Sequence, residues 1–113
     1  MNGTLEKNTQ RVREILDKPE LFCQLAEECD ELGKAALKLR RAITGINPVR
    51  MTEADAWRNL HIELADVMNS LDALQIPTDD ALVMSIREEK MERWVRSLEE
   101  RYAKHKRKTE GES

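Results

Sequence analysis

A chain of 113 residues with 36% charged and only 4% aromatic side chains, four Gly and three Pro, has the profile of helices throughout, and an all-α class follows. The formal net charge of −3 argues against general nucleic-acid binding, and no apolar run approaches the ~18 residues of a membrane span. With no secretory leader in view, the expectation is a soluble cytoplasmic protein with neither nucleic acid nor membrane as partner, and small enough that a homodimer or homotetramer would help cover its core.

In chain order, Thr4 is placed to cap a first helix reaching about Asp17, with Val12, Ile15 and Leu16 on its buried side. Pro19 suits the first turn of a second helix that runs to about Thr44, carries Lys38, Arg40 and Arg41 near its C-terminal end, and stops at Gly45. Cys23 and Cys29 lie six apart on this helix, too far to bridge and without zinc-site spacing, and are read as small packing residues. Asn47-Pro48 favours a turn, and Thr52-Glu53-Ala54-Asp55 resembles a capping box that opens a third helix. Gln75-Ile76-Pro77-Thr78 ends it. Thr78, Asp79 and Asp80 start a fourth helix expected to reach about Tyr102, on which Met84, Met91, Trp94 and Leu98 are read as core or subunit interface. Trp57, near the loop and the start of the third helix, is a minor candidate for a base contact, and His61 and His105 receive no role. The predicted architecture is a four-helix-bundle-like domain over residues 1–103, followed by a basic, disordered tail over 104–113.

Carboxylates interrupt this pattern. On the second helix Leu25, Cys29, Leu32, Ala36, Leu39 and Ile43 form an apolar stripe at about 100° per residue, with Glu28 inside it and Glu31 at its edge. On the third helix Leu60, Leu64, Val67, Leu71 and Leu74 form a second stripe, with Glu63 inside and Asp66 at the edge. Two antiparallel helices of this kind could aim all four carboxylates at one point. Four such groups cannot all ionise in a half-buried site without a cation, and hard oxygen ligands suit Mg²⁺, with Mn²⁺ as a substitute. On the fourth helix Lys90 lies between Ile86 and Trp94, on the side expected to face inward, with Arg93 close by. An inward cation near a metal is what a polyphosphate needs.

These residues resemble the all-α NTP pyrophosphatases, and within them the MazG-like proteins. The marker E-x-x-E on one helix followed by E-x-x-D on the next is matched by Glu28-x-x-Glu31 and Glu63-x-x-Asp66. The surrounding segments Gln24–Glu28, Glu63–Asn69 and Lys90–Trp94, with Arg96 downstream, are similar too. The resemblance spans roughly residues 20–100, and the Gly45–Ala56 segment makes the separation of the two halves longer than in most relatives. It implies Mg²⁺-dependent hydrolysis of a (d)NTP to the (d)NMP and pyrophosphate. Glu28, Glu31, Glu63 and Asp66 would be the metal ligands and catalytic carboxylates, with Lys90, and beside it Arg93, neutralising the phosphates. Two alternatives stay open: an enzyme like phosphoribosyl-ATP pyrophosphohydrolase, and a non-catalytic helical interaction module stapled by a metal. A di-iron bundle would need Glu-x-x-His motifs, which this chain lacks.

Overall fold

The computed structural model describes residues 3–46 and 50–111, and the turn expected at Asn47-Pro48 lies outside them. Among the described residues there are four helices and no strand: α1 (Gly3–Ile15), α2 (Lys18–Thr44), α3 (Glu53–Ala73) and α4 (Ala81–Gly111). Among the described residues no helix is long and apolar enough to cross a membrane.

Local chemistry sets the helix ends. Asp17 Oδ1 accepts from the Glu20 N–H at 2.9 Å just ahead of Pro19, which occupies the first turn where its missing N–H costs nothing. Gly45 closes α2 with φ 72° and donates its N–H to the Arg41 carbonyl at 2.8 Å. Thr52 Oγ1 accepts from the Asp55 N–H at 3.1 Å, and Asp80 Oδ1 accepts from the Val83 N–H at 2.8 Å. The end of α3 is a Schellman turn in which Ile76 donates to the Leu71 carbonyl and Gln75 to that of Asp72. Gln75 sits there at φ 58°, a left-handed position that Gly would occupy with less strain.

The chain divides into two compact units, Met1–Ile76 with α1 to α3 and Pro77–Ser113 with α4. In the first, α3 packs against both α2 and α1. Arg13 Nη1 donates to the Asp72 carbonyl at 3.1 Å, which sets the C-terminal end of α1 beside that of α3.

The buried seam on α2 is Leu21, Leu25, Glu28, Leu32, Ala35 and Leu39, of which Leu21, Ala35 and Leu39 are fully buried and the others half-buried. It shares Leu25, Leu32 and Leu39 with the expected stripe but turns toward the carboxylate side, leaving Cys29, Ala36 and Ile43 exposed. Both cysteines are therefore surface residues rather than packing residues. On α3 the seam is Ala56, Leu60, Glu63, Val67, Ser70 and Leu74, and Leu64 is exposed. The same rotation has occurred on each helix. Its physical cause is side-chain size: Ala35, Ala56, Ser70 and Ala73 let the helices approach closely, which bulkier residues would prevent. Ser70 is satisfied inside the seam by donating to the Asp66 carbonyl at 3.2 Å. Leu21, Leu39 and Val67 supply the larger buried side chains, each contributing about 1.5–3 kcal/mol on burial.

Three expectations about burial are corrected here. Val12 and Ile15 on α1 and Leu16 just after it are exposed; Val12 and Leu16 line an open groove that α1 leaves along its inner side, and Ile15 faces away from that groove. No residue of α4 is buried: Met84, Met91, Trp94 and Leu98 do not form a core, and Lys90 is exposed between exposed Ile86 and Trp94. In its own unit α4 has no second helix to bury a stripe against. Nor does α4 stop near Tyr102; it continues through Lys104–Lys108 to Gly111. That extension has good helix formers, no Gly or Pro before Gly111, and basic side chains that complement the C-terminal dipole.

Candidate metal centre

Glu28 is carried on the α2 seam, and Glu63 on the α3 seam faces it, with Asp66 one turn further along α3. All three are half-buried, and each offers a carboxylate oxygen within 4.8 Å of the other two. Glu31 is not part of this group. It lies at the exposed edge of α2, where its Oε1 accepts from Lys34 Nζ at 3.2 Å. The structure thus brings together three of the four carboxylates expected to converge, and turns the fourth toward solvent within electrostatic reach of Glu63.

Gln24, one turn before Glu28, donates its Nε2 to Glu28 Oε1 at 3.0 Å and orients that carboxylate. The i, i+4 spacing of Gln24 and Glu28 within α2 is the sequence signal for this contact. Loss of solvation by partial burial, followed by the charges of Asp66, Glu31 and Glu28, raises the Glu63 pKa above its ordinary value of 4.5, while Lys38 acts in the other direction. Every carboxylate of the set therefore weighs against ionising Glu63.

The donor set fits a small hard cation. Opposite ligands of octahedral Mg²⁺ at ~2.1 Å stand about 4.2 Å apart and adjacent ones about 3 Å, so oxygens within 4.8 Å need only small side-chain rotations to close on one ion. Glu28, Glu63 and Asp66 would hold it. Beside them opens a groove of about 460 Å³ between α1, α2 and α3. Leu5, Val12 and Leu16 give it an apolar wall, Asn8, Gln24 and Asn69 add amides, and Glu28 and Asp66 form its acidic margin. Lys90 and Arg93 belong to α4 in the second unit and are both exposed. Trp57 is exposed, with its ring tilted at 6.4 Å from that of His61, whose Nδ1 lies 2.8 Å from the Trp57 carbonyl.

Comparison with family models, with curated proteins and with solved structures finds no match to this chain.

Two outcomes follow from the electrostatics. Glu63 holds its proton more tightly in the folded than in the unfolded chain, so its favourable contribution to the metal-free fold is complete below pH 4.5 and is lost as pH rises through the raised value. Thermal unfolding of Glu63→Gln in EDTA should therefore lack the decline shown by the wild type over that interval. A wild-type and variant pair with parallel pH profiles would contradict the cause assigned to the shift. Glu28→Gln keeps both side-chain volume and an acceptor for Gln24. It should raise the Tm of the EDTA-treated protein while removing most of the rise that Mg²⁺ or Mn²⁺ gives the wild type, because a lost ligand weakens binding to the folded state. A lowered metal-free Tm with an unchanged metal effect would instead mark Glu28 as a structural residue.

Proposed function

We propose that this chain is a Mg²⁺-dependent nucleoside triphosphate pyrophosphohydrolase of the MazG-like kind, converting a (d)NTP and water to the (d)NMP and pyrophosphate in nucleotide-pool housecleaning. The observation that carries this reading is the convergence of Glu28, Glu63 and Asp66 from two facing helices at the margin of an apolar groove. Three half-buried carboxylates call for a cation, and a groove with an apolar wall and amides along it accepts a planar, polar-edged group such as a base.

When bound, Mg²⁺ or Mn²⁺ supplies Lewis-acid polarisation of phosphate oxygens and a more acidic water. Glu28, Glu63 and Asp66 would hold the ion, and Gln24 orients the Glu28 carboxylate. Glu31 adds negative field from the solvent side. Hydrolysis adds the elements of water across the α–β anhydride, so that one phosphate group leaves on the nucleoside and two leave as pyrophosphate. Lys90 and Arg93 carry the phosphate-neutralising role that the sequence resemblance implies. The exposed apolar residues of α4 offer surface to a second copy in a homodimer or homotetramer.

That same exposed helix also suits the alternative of a metal-stapled interaction module, and product analysis separates the two. The purified protein should release pyrophosphate from at least one common NTP or dNTP with Mg²⁺ or Mn²⁺ and be silent in EDTA. Orthophosphate as first product would exclude the α–β cleavage. Metal binding without turnover on any nucleotide, phosphoribosyl-ATP included, would favour the module. Lys90→Met should lower kcat/KM on the order of 10²-fold, about 3 kcal/mol, with an unchanged circular-dichroism spectrum. Wild-type turnover in that variant would leave Lys90 as a solvated surface lysine.

A further inference from the structure

We propose that Lys38 and Asn59 form the seat for the pyrophosphate end of the substrate, on the far side of the carboxylates from the apolar groove. The inference rests on the pyrophosphohydrolase reading and adds two residues that the motif does not contain. Leu21 of α2 and Ala73 of α3 line the groove together, as do Glu28 and Asp66, so the two helices run antiparallel. Moving away from the groove past Glu28 leads along α2 to Lys38 and along α3 back through Glu63 to Asn59. At 100° per residue Lys38 lies within about 20° of the direction of Glu31, and Asn59 within about 20° of that of Asp66. In an antiparallel pair these directions fall on one side of the seam, the side that also carries the groove.

Side chains on a helix lean toward its N-terminus. Lys38 therefore leans back along α2 toward the carboxylates, and Glu63 leans along α3 toward Asn59, so the two converge from opposite helices. Lys38 and Asn59 are both half-buried. Lys38 makes no ion pair among the described residues, whereas its neighbour Lys34 is engaged by Glu31. It is also the cation whose charge opposes the rise in the Glu63 pKa, which places it within electrostatic reach of the centre. A half-buried ammonium and a half-buried amide beside a divalent-ion site fit a terminal diphosphate, with the amide donating to an oxygen and the ammonium neutralising it.

The test is calorimetry on the full chain, with Mn²⁺ alone and with inorganic pyrophosphate in excess Mn²⁺, beside an NTP hydrolysis assay. Lys38→Met should weaken pyrophosphate binding about tenfold or more while Mn²⁺ affinity holds or tightens, and Lys38→Arg should restore most of the loss. Asn59→Ser, on the other helix, should weaken pyrophosphate binding in the same direction. If both variants bind pyrophosphate like the wild type and the wild type hydrolyses an NTP, the seat is wrong and the functional reading stands. A Lys38→Met that only tightens Mn²⁺ would reduce Lys38 to a counter-charge and overturn the proposal. Neither hydrolysis nor pyrophosphate binding by the wild type would overturn reading and seat together.

Discussion

Two carboxylates facing each other across the most extensive helix contact are the constraint on which the first unit turns. Glu28 and Glu63 occupy places in the α2–α3 seam where a packed core would put leucine, and Asp66 adds a third charge. Loss of solvation and the neighbouring carboxylate charges both oppose ionisation of Glu63. What holds the contact against that repulsion is a short list of apolar groups: Leu21, Leu39 and Val67 for area, and Ala35, Ala56 and Ala73 for closeness. A pair of helices assembled in this way holds like charges together at its centre, and a cation placed there would offset them.

Helix positions were legible because they depend on local chemistry. Asp17 with Pro19, Gly45, Thr52 and the break after Leu74 each satisfy or deny specific backbone groups, and those effects can be read within four residues of sequence. Which flank of each helix faces its partner was not legible. Leu25, Leu32 and Leu39 belong equally to a stripe completed by Cys29 and Ala36 and to one completed by Glu28 and Ala35. Leu60, Val67 and Leu74 leave the same choice on α3. A hydrophobicity pattern favours Cys29 and Leu64; close packing favours the smaller Ala35 and Ser70, and the carboxylates follow them inward. The candidate site was thus readable in composition and roughly in phase, whereas the engagement of Glu31 by Lys34 at the exposed edge is a side-chain choice that helix phase does not decide.

α4 shows the opposite limit. Its helical state is dictated by intrinsic propensity over a long run without Gly or Pro, and so extends further than a reading that looked for an apolar stripe would take it. The face it would bury is a tertiary property, and an amphipathic pattern alone does not supply the surface that covers it.

The small residues of the seam bear on how quickly a cation could come and go. Ala35, Ala56, Ser70 and Ala73 are buried and short, so the seam has no long side chains at these positions that could yield around an ion. Adjustment falls to the stems of Glu28, Glu63 and Asp66, whose rotations take picoseconds to nanoseconds, whereas sliding of packed helices takes microseconds to milliseconds. Exchange at such a centre would be governed by water leaving the ion, with the protein frame standing still throughout.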